Sequence, residues 1–198
     1  MIEYVEKNYI EKNSVEKRDY QINLANQAMN ENCVVVLPTG LGKTTIALHV
    51  IAEYLSKNSF GILFLAPTRV LVNQHFEFLK KNLTIDDITL ITGEDAVEKR
   101  TELWNGRIIC ATPEVARNDL NKKIITSKQF SLVVFDEVHR TTGDYAYSSI
   151  AKHFEDTDTR LLGMTATLPS EQEKATEILT RLKISSVAER TENSPDVK

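Results

Sequence analysis

Two short stretches of this 198-residue chain carry residue types whose spacing could do chemistry. The first is Val34-Val35-Val36-Leu37-Pro38-Thr39-Gly40-Leu41-Gly42-Lys43-Thr44-Thr45, which reads as a strand, a tight turn and the start of a helix. Gly40 and Gly42 let the backbone wrap inward, so consecutive N–H groups can point at one anion. A helix starting near Lys43 adds the positive end of its dipole. Lys43 would set its ammonium against the β- and γ-phosphates of a nucleotide, and Thr44 would offer its hydroxyl to Mg²⁺. The full pattern has a glycine where this chain has Leu37.

The second stretch is Leu132-Val133-Val134-Phe135-Asp136-Glu137-Val138-His139, four apolar residues followed by two adjacent acids. A strand buried on both faces has no packing reason to end this way, because a buried carboxylate is costly without a cation. A bound Mg²⁺ removes that cost. Asp136 would hold the ion, and Glu137 would orient or deprotonate an attacking water. Each stretch alone has an ordinary alternative: a turn that happens to contain Gly-Lys-Thr, or a strand end that reaches solvent. Together they favour nucleotide hydrolysis.

These groups must be positioned by the elements around them. Strand-like apolar runs fall at 33–37, 61–66, 89–91, 107–110, 131–135, 160–164 and, more weakly, 183–187. Several are continuous and β-branched, which suits strands covered on both faces. Helical periodicity lies between them at 20–31, 43–55, 70–82, 113–120 and 170–182. Pro113 behind Thr112 marks a helix start, and Ser170-Glu171-Gln172-Glu173 fits a capping box. Strands alternating with helices predict an α/β domain, a parallel sheet with helices on both faces. Ligands on such a sheet bind at the carboxyl ends of its strands, where both stretches fall. Residues 1–17 read as a loosely attached lead-in, 18–189 as the domain, and 190–198 as a linker.

Composition narrows the class. Hydrophobic content of 41% with 26% charged residues suits a globular domain of ordinary core size. No apolar run approaches the ~20 residues of a membrane span, and the first residues lack the order of a signal peptide. An intracellular protein without membrane partners is expected. A formal net charge of −4 excludes gripping nucleic acid by bulk charge. Local contacts to a phosphate backbone remain open. Cys33 and Cys110 sit inside apolar runs, too far apart in sequence for a zinc pattern. Neither they nor His49, His75, His139 and His153 show metal-ligand spacing. The lone Trp104 reads better as a packing residue than as a base-stacking one.

Taken in order, six motifs resemble those of superfamily 2 helicases. Arg18-Asp19-Tyr20-Gln21 is similar to the Q motif, Pro38–Thr44 to motif I, and Ala66-Pro67-Thr68-Arg69-Val70-Leu71 to motif Ia. Ala111-Thr112-Pro113-Glu114 is similar to motif Ib, Asp136-Glu137-Val138-His139 to motif II in its DExH form, and Thr165-Ala166-Thr167 to motif III. The phosphate loop, motif Ia and the tail Glu192-Asn193-Ser194-Pro195-Asp196-Val197 more narrowly resemble the archaeal Hef and Fanconi anaemia group M helicases, which act on branched DNA.

The resemblance implies a RecA-like P-loop NTPase domain that uses ATP and Mg²⁺. It implies that Gln21, with Arg18 nearby, reads the adenine edge. Thr68, Arg69 and Thr112, with Thr92 and Gly93 extending the path, are implied to contact the backbone of a DNA strand. Thr165, Thr167 and His139 are implied to couple nucleotide state to strand movement. The family pattern also has a second RecA-like domain with motifs IV to VI, for which this chain has no matching stretch. A motor lacking that partner is expected to bind nucleotide and hydrolyse it very slowly, because an arginine finger is worth about 10³–10⁵ in rate. Rival readings are an RNA helicase or another translocase, a non-catalytic binding module, and a kinase-like P-loop enzyme. Intact Lys43 and Glu137 speak against the module, and the motif Ia and III segments against the kinase.

Overall fold

The computed structural model describes residues 1–141 and 145–197; residues 142–144 of the expected domain and Lys198 of the expected linker lie outside that description. Seven strands form one sheet: β1 (Cys33–Val36), β2 (Gly61–Leu65), β3 (Ile88–Ile91), β4 (Ile108–Ala111), β5 (Phe130–Phe135), β6 (Arg160–Thr165) and β7 (Ser186–Glu189). Every pairing is parallel, and the spatial order is β3-β4-β2-β5-β6-β1-β7. The connecting helices are α1 (Asp19–Asn30), α2 (Lys43–Lys57), α3 (Arg69–Asn82), α4 (Val97–Leu103), α5 (Pro113–Asn121), α6 (Ala146–Lys152) and α7 (Gln172–Arg181).

Alternation along the strands builds two cores. Val35, Phe64, Val134 and Met164 face α1, α2 and α3, meeting Leu24, Ile46, Val50 and Leu79. Their neighbours Val34, Leu65, Phe135 and Leu161 face the other way, onto Leu120 of α5, Ile150 of α6 and Ile178 of α7. The fold is therefore the expected three-layer sandwich. Phe135 is fully buried, with its ring edge-on to Tyr147 at 5.0 Å. Burial of such a ring contributes roughly 3–5 kcal/mol by the cost of truncating it. Helix α2 is apolar all round from Ile46 to Ala52, apart from His49, because α1 covers the side that the sheet does not.

Three local expectations change. Residues 1–17 are docked, not loosely attached. Tyr4 bridges Glu16 and Ile10 bridges Leu83, while Val5, Ile10 and Val15 join the core. The capping box at Ser170 does not form: α7 starts at Gln172, and the N-cap Glu171 makes no side-chain capping bond, its carboxylate accepting from Lys174 at 2.8 Å instead. The short helices α4 and α6 add to the elements expected, since seven residues are too few for a periodic signal. At the other end, the Arg190 N–H reaches the Val36 carbonyl at 3.1 Å and its guanidinium pairs with Asp196 at 3.0 Å.

Candidate functional site

Because all seven strands run parallel, their carboxyl ends share one edge of the sheet. The phosphate loop leaves β1 there, the acid pair leaves β5, and Thr165 ends β6 between them. Gly40 and Gly42 have φ of +90° and +89°, the left-handed region that an L side chain enters at a cost. Gly42 also has no room for a Cβ, which would strike the Gln21 amide. Leu37, in place of a glycine, is fully buried, and its N–H donates to the Thr165 carbonyl at 3.1 Å. That backbone bond, which a glycine would make as well, ties the loop to β6, while the leucine side chain adds to the core.

One cleft of about 450 Å³ is lined by Thr39, Gly40, Gly42, Lys43, Thr44 and Thr45 from the loop side and by Asp136 and Glu137 from the other. Lys43 donates one N–H to the Leu37 carbonyl at 2.9 Å, which leaves two of its three donors. Asp136 is held from three sides. Its backbone N–H donates to the Leu65 carbonyl, its carbonyl accepts from the Tyr147 hydroxyl at 2.7 Å, and its carboxylate meets Nε2 of His75 at 2.7 Å. Glu137 has φ +55°, a strained conformation for a residue with a side chain, costing about 1–3 kcal/mol. Its carboxylate lies 3.3 Å from Nδ1 of His139, and the same nitrogen lies 3.0 Å from the Thr165 hydroxyl. That hydroxyl donates on to the Thr167 carbonyl at 2.8 Å. Motifs II and III are joined by this chain of bonds.

A second hollow of about 240 Å³ adjoins at Gly40, Gly42 and Thr45 and is lined by Arg18 and Gln21. The Gln21 amide donates to the Leu41 carbonyl at 3.0 Å, and the Tyr20 hydroxyl donates to the same oxygen at 2.7 Å. The Gln21 side-chain carbonyl is buried without a partner. A buried unpaired acceptor is costly and calls for a donor such as a ring amino group. Arg18 is exposed and bonded to Glu16 at 3.2 Å. Pro38 starts the loop, and its carbonyl accepts the Leu41 N–H.

These residues fit a magnesium-bound nucleotide. Among the described residues, no group of three His, Cys, Asp or Glu could hold a metal by side chains alone. An ion here would be shared between Thr44, Asp136 and phosphate oxygens, as Mg²⁺ prefers. The candidates for nucleic-acid contact line the same sheet edge beyond the cleft. Thr68 caps α3 by accepting the Leu71 N–H at 3.2 Å. Arg69 is exposed and paired with Glu94, both guanidinium-to-oxygen distances being 2.6 Å. The Thr92 N–H donates to the Asp95 carboxylate at 3.0 Å, and Gly93 is exposed. Thr112 is only 7% exposed and makes no side-chain cap, although Pro113 does open α5.

A family model for the DEAD/DEAH box helicases matches residues 18–175. The chain belongs to that family. Its helicase domain is 45% identical over 184 residues to a Methanocaldococcus jannaschii protein provisionally named ATP-dependent RNA helicase MJ1505, covering 91% of this chain and 24% of that one. It is 37% identical to the ATP-dependent DNA helicase MPH1 of Saccharomyces cerevisiae, covering 91% and 19%. The solved helicase domain of Pyrococcus furiosus Hef superposes with a TM-score of 0.88 at 39% identity, covering 91% of this chain and 40% of that chain. The RecA-like fold and the Hef-like resemblance read from the motifs both hold. This helicase domain spans about a quarter or less of the length of these curated relatives.

Two residues that hold the candidate site, His75 and Tyr147, carry no signal in the sequence. His75 sits inside an amphipathic helix and Tyr147 on a helix too short to recognise, 61 and 11 residues from Asp136. No local pattern announces either. Trp104 is buried, with its N–H on Asp119 at 2.8 Å, so it packs and does not stack on bases. Cys33 and Cys110 are free and buried, and burial raises both thiol pKa values, that of Cys33 to about 11. Among the described residues no helix is long and apolar enough to cross a membrane.

Proposed function

We propose that this chain is the nucleotide-binding motor domain of a DNA helicase or translocase that works on branched or forked DNA. One observation carries the reading: Lys43 and Thr44 share a single cleft with Asp136 and Glu137. In use, the N–H groups of residues 39–44 cradle the phosphates and Lys43 Nζ donates to the β- and γ-oxygens. Thr44 and Asp136 would hold magnesium, which would supply neutralisation of charge on the phosphates. Glu137 accepts a proton from the attacking water, with its carboxylate steered by His139. Thr165 passes the state of that histidine to Thr167. The Gln21 carbonyl accepts from the adenine amino group.

Thr68, Arg69, Thr92, Gly93 and Thr112 form the backbone-contacting path, which fixes register without reading bases. A second RecA-like domain supplies the arginine that completes the site. DNA is favoured because MPH1 relatives carry that name and 37% identity. The name of the jannaschii relative favours RNA as the second reading. Comparing ATPase stimulation of the full-length protein by forked DNA, single-stranded DNA and RNA separates them. Stimulation by RNA alone would sink the DNA reading.

The pairing of Arg69 with Glu94 gives this path a measurable signature. Glu94 occupies the guanidinium fork that a phosphate would take. Glu94→Gln should tighten single-strand binding severalfold at low salt, on the scale of about 1 kcal/mol for a surface pair. Arg69→Ala should weaken binding and lower the slope of log affinity against log salt by about 1. Fluorescence anisotropy with a labelled oligonucleotide reads both; identical slopes in parent and Arg69→Ala would remove Arg69 from the path.

A further inference from the structure

We infer that His75 is a positioning residue for the magnesium ligand Asp136, an assignment that rests on the nucleotide-binding reading above. Asp136 is 4% exposed and His75 9%, so their 2.7 Å contact is largely shielded from water. A carboxylate bonded at this distance needs a hydrogen between the two atoms, which sits on Nε2. The imidazole is itself fixed, its ring centroid 4.6 Å from that of Phe64 on β2. One carboxylate oxygen is therefore pinned by α3, while the Tyr147 hydroxyl and the Leu65 carbonyl pin the backbone of the same residue. What remains of the Asp136 side chain faces the cleft shared with Thr44.

A freely rotating carboxylate at the end of β5 would sample orientations that do not point at the ion. His75 removes that freedom before nucleotide arrives. Groups that orient a metal ligand in this way are worth about 10–100-fold in metal affinity. The contact also has a mechanical side. Thr68 and Arg69 open the same helix, and His75 lies two turns further along it, on the order of 10 Å at 1.5 Å per residue. The path proposed for nucleic acid and the proposed metal ligand are thus joined by one continuous helix.

The test measures Mn²⁺ affinity of the ADP complex by electron paramagnetic resonance, together with ADP affinity in excess chelator. His75→Phe keeps a ring against Phe64 and removes the N–H. It should weaken Mn²⁺ binding by about 10–100-fold and leave metal-free ADP affinity unchanged. Two amides guard against a misfolded variant: His75→Gln can carry an N–H to the same oxygen, whereas His75→Asn is too short. Near-parental Mn²⁺ affinity in Gln with a loss in Asn supports the assignment. Equal Mn²⁺ affinity in parent and His75→Phe overturns it, as does an equal loss of ADP affinity with and without metal. A parent that binds no ADP overturns the nucleotide-binding reading, and this assignment with it.

Discussion

Lys43→Ala should weaken binding of magnesium-bound ADP or ATP by on the order of 10²-fold, while the fold stays intact. The cleft contains two carboxylates, Asp136 and Glu137, facing the loop that would hold a polyanion. Lys43 is the one lysine or arginine that lines this cleft among the described residues. Truncating one member of a desolvated charge pair costs roughly 2–5 kcal/mol, and about 3 kcal/mol of that range corresponds to the stated loss. The loop should survive, because the lysine gives the fold a single hydrogen bond, to the Leu37 carbonyl. Lys43→Arg should not restore binding, since a planar fork does not replace a compact ammonium in a glycine-lined turn. Titration calorimetry with ADP measures the affinity and thermal melting checks the fold. Parental affinity in Lys43→Ala would remove the phosphate loop from the account.

Asp119→Ala should destabilise the chain by about 3–5 kcal/mol, the cost of breaking a buried ion pair from one side. Asp119 is wholly buried on α5, where its two oxygens each accept from Arg100 at 2.9 Å and one also accepts the Trp104 N–H. Burial works against its charged form, yet the bonds from Arg100 and Trp104 outweigh burial and lower its pKa. Removing the carboxylate strands a guanidinium whose side chain is only 12% exposed. Against a typical total of about 5–15 kcal/mol, that is a large share. Urea unfolding followed by Trp104 fluorescence reads the change; a loss below about 1 kcal/mol would show that the pair is dispensable. Because the folded-state pKa is depressed, the stabilisation is complete above the ordinary carboxylate value of 3.8 and is lost as pH falls through the lower folded value. Asp119→Asn should therefore show a flatter acid limb than the parent. The same network reaches the proposed strand path, since Arg100 also holds the Asp95 carbonyl beside the Thr92–Gly93 turn.

What could be read in the sequence was what local spacing controls. The glycine turn before Lys43 and the acids after Phe135 announce themselves because each depends on adjacent residues. The strands were legible for the same reason: a run such as Cys33–Val36, buried on both faces, leaves an unbroken apolar string. The parts that stayed hidden depend on contacts distant along the chain. Nothing near His75 points to Asp136, and nothing in Asp119 points to Arg100 except the finished fold. The docking of residues 1–17 was hidden in a similar way. Val5, Ile10 and Val15 are single apolar residues among charges, and only the folded core they join, with Leu83 at the end of α3 bridged to Ile10, gives them a surface to cover.

The central claim is that the glycine turn and the acid pair grip the same ligand. A crystal structure of the chain with Mn²⁺ and a non-hydrolysable ATP analogue tests this most directly, because manganese announces itself by anomalous scattering. One manganese peak is expected between the Thr44 hydroxyl and the Asp136 carboxylate, with the triphosphate wrapped by residues 39–44. A nucleotide bound away from Lys43, or a metal that ignores Asp136, would contradict that claim.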